Sequence, residues 1–207
     1  MSEKELIAAL EATKSRLSRA TRALAPKHKG GEMEEFQAAR EAMYTAERAL
    51  AAARNEAHAV PLEFPVQWDV GAPLPHLISN DLQTFLIFLL PDRPPDLNGL
   101  AIVEFERCVS AKMGAPNDEV YSGHPLYGKG LEGYRPLQVI HSPWIRELEA
   151  INAVHPGYDR TRWQGLTHYF LGFHDCTFEC VARSFIVETG HGAISDALAT
   201  VCRRLML

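Results

Sequence analysis

The chain has 207 residues, 46% hydrophobic and 23% charged, an ordinary globular mixture that speaks against a disordered or fibrous protein and suits one core with an appendage. Its net charge of −5 argues against general nucleic-acid binding, and its longest apolar run, Phe85 to Leu90, is far below the roughly 20 residues of a membrane span. The opening Met-Ser-Glu-Lys-Glu lacks the basic-then-apolar order of a signal peptide, so a cytosolic protein with no membrane partner is expected.

The four cysteines, Cys108, Cys176, Cys180 and Cys202, show no C-x-x-C spacing and are expected to be free thiols. Charge is segregated along the chain. Lys14, Arg16, Arg19, Arg22, Lys27 and Lys29 fall in a stretch with no acid, and removing those six charges leaves −11 for the remainder.

The first element is an antiparallel α-helical hairpin spanning residues 3 to 58. Leu6, Leu10, Thr13, Leu17, Ala20 and Leu24 recur in alternating steps of four and three, the stripe of a coiled-coil helix. Pro26 and Gly30-Gly31 stop it, and a second stripe follows through Phe36, Ala39, Met43, Ala46, Leu50, Ala53 and Ala57. Because the second stripe is mostly alanine, it buries little area. The hairpin is therefore expected to lean on the domain, on a second copy as a homodimer, or on a partner.

Pro61, Pro65, Pro73 and Pro75 then impose an extended connection, which puts a boundary near residue 60: an arm over 1–60 and an α+β domain over 61–207. Thr84 to Leu90 predicts a strand buried on both faces, followed by the turn-forming run Pro91 to Pro95. Leu100 to Val109 predicts a strand with Glu104 and Glu106 on a polar face. Ser142-Pro143 opens a three-turn helix, Leu166 to His174 and Thr177 to Glu188 predict two strands turning at Asp175-Cys176, and a last helix begins near Ile194. Without regular βα alternation, the fold class is α+β: the helical hairpin followed by a mainly antiparallel sheet with two or three packed helices.

With that turn, period two puts His168, Phe170, Gly172 and His174 on one face with Thr177, Glu179, Val181 and Arg183, while Tyr169, Leu171, Phe173, Phe178, Cys180 and Ala182 form the core. His168 and His174 stand about 20 Å apart along one strand, too far to share an ion, and no residue is assigned to a metal. His174 with Glu179 across the turn is the more credible acid–base pair. Cys176, adjacent to His174, is a turn cysteine on this reading, since catalytic Cys–His pairs come from separate elements.

Pro116 to Pro136 is a long aperiodic segment of the kind that forms binding loops or lids. It supplies Asp118, Glu119 and His124 as candidate catalytic partners, and Tyr121, Lys129 and Arg135, with His141, His168 and Arg183 outside it, as candidate ligand contacts. Gly123 to Lys129 spells G-x-x-x-x-G-K, but Gly130 follows where a phosphate loop has Ser or Thr, and no strand precedes it.

The function these features favour is a ligand- or partner-binding accessory protein whose helical arm serves self-association or docking. An acid–base or hydrolytic enzyme acting through His174 and Glu179, a metal being one option for it, is the first alternative. Polyanion or RNA binding through Arg19, Arg22, Lys27 and Lys29 is the second, and nucleic acid is not the favoured partner. The sequence identifies no cofactor.

Overall fold

The structure, a computed structural model, describes residues 1–24, 30–91 and 99–206. The tip of the arm, with Lys27 and Lys29, and most of the run after Pro91 lie outside the described residues.

Helix α1 (Glu3–Ala23) begins with a capping box: Ser2 Oγ accepts the Glu5 N–H at 3.4 Å and the Glu5 carboxylate accepts the Ser2 N–H at 2.7 Å. Helix α2 (Gly30–Ala53) returns alongside it. Arg16–Glu35 and Arg54–Glu3 ion pairs, both at 2.8 Å, sit near opposite ends and show the antiparallel sense. The predicted stripes meet in a seam of Leu6, Leu10, Met43, Ala46 and Leu50.

Of the three supports the thin seam called for, one is visible in the domain itself. Buried Glu47 accepts the Gly130 N–H at 3.0 Å, Arg48 pairs with buried Glu132, and Glu41 with Arg135 at 3.0 Å. A Cβ at Gly130, which has φ +84°, would strike the Ala59 carbonyl oxygen and the Arg48 side chain. Glycine is what lets the loop lie this close to α2.

The expected antiparallel sheet resolves into two. One contains β1 (His58–Pro61), β5 (Ser110–Gly114), β6 (Pro136–Ile140), β7 (Thr167–Gly172) and β8 (Thr177–Ala182) in the order β1-β6-β7-β8-β5. The other contains β2 (His76–Ser79), β3 (Thr84–Leu89), β4 (Gly99–Glu106) and β9 (Ser184–His191) in the order β2-β3-β4-β9. Every pairing is antiparallel.

The sheets pack face to face through a core of Leu86, Phe88, Val103 and Phe105 against Tyr169, Leu171, Phe173 and Phe178. Ring contacts such as Phe105–Phe178 at 5.1 Å and Phe88–Phe173 at 5.8 Å cross the interface. The far side of β3, Phe85, Ile87 and Leu89, is closed by Ala197 and Val201 of α4 (Ile194–Arg204). That is why β3 is apolar at successive positions.

Two strand readings need correction. The run Thr177 to Glu188 is not one strand: β8 ends at Ala182, and β9 begins at Ser184 in the other sheet, with Arg183 N–H donating to the Glu106 carbonyl at 3.0 Å. The polar face expected on β4 is reduced to the half-buried Glu104 and exposed Glu106, because α4 packs against Leu100 and Ile102. The proline-rich connection is not an idle spacer either. Leu62, Phe64, Val66 and Trp68 pack against the core, and β1 takes residues from both sides of position 60.

Candidate functional site

The outer face of the five-stranded sheet carries the chemistry. Strand alternation sends His168 and Phe170 of β7 and Glu179 and Val181 of β8 to that side, and the register sets Phe170 opposite Glu179 and Lys112 of β5 opposite Glu179 on its other flank. Helix α3 (Pro143–Asn152) and the loop 115–135 cover the face, the loop through Tyr121, Leu126 and Leu131 packed on Phe170 and Leu137.

A buried polar array runs across it. His168 Nε2 is 2.8 Å from Glu179 Oε2, His168 Nδ1 is 2.9 Å from Ser142 Oγ, and Lys112 Nζ is 2.9 Å from Glu179 Oε1. Ser142, His168 and Glu179 are each about 95% buried, while Lys112 reaches Glu179 from the solvent side with 57% of its side chain exposed. Burial pushes the Glu179 carboxyl up, but the hydrogen bonds from His168 and Lys112 and their charges outweigh it, and its pKa ends below the ordinary value. Glu179 is therefore ionised and accepts the His168 Nε2–H, while His168 Nδ1 and the Ser142 hydroxyl share the second hydrogen bond.

Ser142, His168 and Glu179 have the composition of a nucleophile relay, yet Ser142 Oγ is the N-cap of α3, accepting the Ile145 N–H at 3.2 Å, and it is outside the lining of the adjoining cavity. Its position is that of a structural anchor for α3.

That cavity, of about 630 Å³, lies between the loop, α3 and the strands β5, β7 and β8. Its apolar surface comes from Met113, Leu126, Val139 and Trp144, and its ionised groups are Lys112, Lys129, Arg146 and Glu179. Lys112 pairs with Glu179 and Lys129 with Glu56, each at 2.9 Å, so Arg146 is the lining cation with no ion pair among the described residues. Lys112 Nζ stands 4.6 Å from the centroid of the Trp144 ring, and Trp144 meets His168 edge-on at 5.1 Å.

His124 also lines the cavity. Its Nδ1 accepts the Leu126 N–H at 3.2 Å, which leaves the proton on Nε2, and burial lowers its pKa so that the neutral donor form dominates near neutral pH.

The structure separates His174 from Glu179. The hairpin closes one residue earlier than expected, with Phe173 N–H donating to Cys176 C=O at 2.9 Å, so His174 and Asp175 form the turn. His174 is exposed and clasps the loop: its Nδ1 is 3.2 Å from Asp118 Oδ2 and 2.9 Å from Tyr134 Oη, and Tyr134 Oη donates to the same Asp118 oxygen. The joint His174–Glu179 pocket is thus corrected to His168–Glu179, with His124 and Lys129 in the same cavity.

The other candidates disperse. Asp118 belongs to the clasp, while Glu119 is exposed. Tyr121 is buried against Phe170, and Arg135 pairs with Glu41 and Glu132. His141, with φ 54°, lends its carbonyl to Arg146 Nη1 at 2.7 Å, and Arg183 sits at the crossing between sheets. Arg19 and Arg22 line a shallow groove on α1 with Lys14, Ser15 and Ser18, and nothing there is buried. Among the described residues no group of His, Cys, Asp and Glu has the arrangement of a metal site. No described helix is long and apolar enough to cross a membrane.

Lys112, Trp144 and Arg146 were not among the sequence candidates. Lys112 lies in Ser-Ala-Lys-Met-Gly, a strand without alternation, and Trp144 reads as part of an apolar helix stripe. Comparison with known proteins finds no family model, no curated protein and no solved structure that matches the chain.

Proposed function

We propose that the protein is a small-molecule binding protein whose site is the cavity on the outer face of the five-stranded sheet. Its ligand is a compact anion with a flat apolar body, a carboxylate being the simplest case. One observation carries this reading: Arg146, which has no ion pair among the described residues, and Trp144 line a concave apolar surface together with Lys112, paired with Glu179, and Lys129, paired with Glu56. A pocket that is mostly apolar with a few fixed polar groups is the usual form of a small-molecule site. The buried Ser142–His168–Glu179 array supports it by holding Lys112 and the start of α3 in place.

Isothermal titration of the full chain with 1-naphthoate and benzoate, against naphthalene methanol as a neutral control, tests the reading. Saturable binding of the carboxylates is expected, weakened about tenfold or more in Trp144→Ala and in Arg146→Ala. Equal binding of the neutral alcohol, or wild-type affinity in both variants, would overturn it.

A further inference from the structure

The chain between β6 and β7 walls the outer-sheet cavity through Pro143, Trp144 and Arg146, and it is held mainly by its own bonds. No residue from Pro143 to Gly165 is buried, and none joins the hydrophobic core. The Arg146 guanidinium donates to the His141 carbonyl at 2.7 Å, Tyr158 Oη to the Glu149 carboxylate at 2.6 Å, and Leu166 N–H to the Trp163 carbonyl at 3.4 Å. Among the described residues no hydrogen bond or ion pair from 143–165 reaches outside 141–166.

The polar and ring contacts that tie this segment to the sheet gather at its start. Ser142, just before it, is buried and lies 2.9 Å from His168, and the Trp144 ring meets Lys112 and the His168 ring. Its two ends turn at His141, with φ 54°, and at Gly165, with φ 85°. Residues at element ends are where hinges absorb changes of φ and ψ. A wall secured at one end, with no buried side chain of its own, opens at lower cost than the buried strands beneath it. The same wall carries recognition groups, since Arg146 and Trp144 stand on α3 whereas Lys112 and Glu179 stand on the sheet.

We propose that residues 143–164 form a lid over the outer-sheet cavity, hinged at His141–Ser142 and at Gly165. It lifts to admit the anion and is drawn shut when the carboxylate bonds Arg146 and the flat body lies against Trp144. The lid rests on the reading of that cavity as a small-molecule site.

Hydrogen–deuterium exchange of the full chain, read by mass spectrometry with and without saturating 1-naphthoate, tests it. A ten-residue helix lifted off its seat is too short to hold alone, so opening is read as exchange of the α3 amides. In the free chain α3 is expected to exchange about a hundredfold faster or more than β7 and β8. With ligand it is expected to slow by about fivefold or more, as the population shifts to the closed state. The protection should reach 148–153, beyond the Pro143, Trp144 and Arg146 that touch the cavity. The lid is overturned if α3 in the free chain exchanges as slowly as β7, or if bound 1-naphthoate protects nothing beyond 143–146. Saturable binding by calorimetry would in either case leave the site itself standing. Absence of such binding overturns the site reading and the lid with it.

Discussion

His168 and Glu179 are not cross-strand partners, since Phe170 faces Glu179 and His168 faces Val181, yet their side chains meet diagonally at 2.8 Å. The diagonal places the imidazole between a carboxylate on β8 and a hydroxyl at the head of α3, so one ring ties the sheet to the helix above it.

Removing the carboxylate leaves a buried imidazole and a lysine without their partner. Glu179→Ala is expected to cost on the order of 3 kcal/mol of unfolding free energy, and Glu179→Gln less than half of that because an amide oxygen still accepts one bond. Urea unfolding followed by far-UV circular dichroism measures both. Indistinguishable midpoints for Glu179→Ala and wild type would show that the array contributes nothing to stability.

Gly172 is expected to be intolerant of any side chain. Gly172→Ala pushes a methyl into Tyr121 Oη, and roughly 1–3 kcal/mol of overpacking strain follows. Adding Tyr121→Phe to it should return most of the loss, since the phenol oxygen is the nearest obstacle. A double-mutant cycle in thermal unfolding reads the coupling, and strictly additive effects would refute the contact.

The clasp of His174, Asp118 and Tyr134 should respond to pH on both sides. The hydrogen bond to Asp118 and its charge raise the His174 pKa above 6.5, so its contribution is complete below that value and is lost as pH rises through the folded pKa. Tyr134 and His174 hold Asp118 below 3.8, so its contribution is complete above that value and is lost as pH falls through the folded pKa. The clasp is at full strength between 3.8 and 6.5. An NMR titration of His174 should show its midpoint falling back toward 6.5 in Asp118→Asn, and an unmoved midpoint would count against the pairing.

Two glutamates of the arm should differ in their effect. Glu3 makes an exposed pair with Arg54, and Glu3→Ala is expected to change stability by about 0.5 kcal/mol or less. Glu47 is buried and accepts the Gly130 N–H, so Glu47→Ala strands a backbone donor and should cost about 1–3 kcal/mol. Chemical denaturation of the two variants side by side decides whether the arm is held by its ends or by its docking point.

Local rules made the frame legible. Heptad spacing located both helices of the arm, Ser142-Pro143 marked the start of α3, and the unbroken apolar run over β3 announced that both of its faces are covered. Period two also survived a misplaced turn. Moving the turn centre from 175–176 to 174–175 shifts each partner by two residues, which keeps Glu179 on the face of His168 and Phe170. The same shift carries His174 off the strand and into the turn, which leaves His168 as the histidine that meets Glu179.

What stayed hidden depended on tertiary neighbours. Lys112 enters the site only because β5 pairs with β8, a partnership between segments far apart in sequence that no local pattern encodes. Arg183 looked like one more strand residue because the chain changes sheets there without a glycine or proline to mark it. Trp144 sits at a position a helix stripe would assign to a core, but it lines a cavity, and Ile151 of the same stripe is exposed.

The attachment of α2 through Glu47 and Arg48 has a mechanical consequence. A helix of 24 residues is about 36 Å long, and its contacts with the loop begin at Glu41, so its first turns, from Gly30 to Arg40, project beyond the docking region as a lever. The fulcrum rests on Gly130 and Glu132, inside the loop whose residues 124–126 and Lys129 wall the outer-sheet cavity. A load on the distal end of the arm is thereby delivered to that wall.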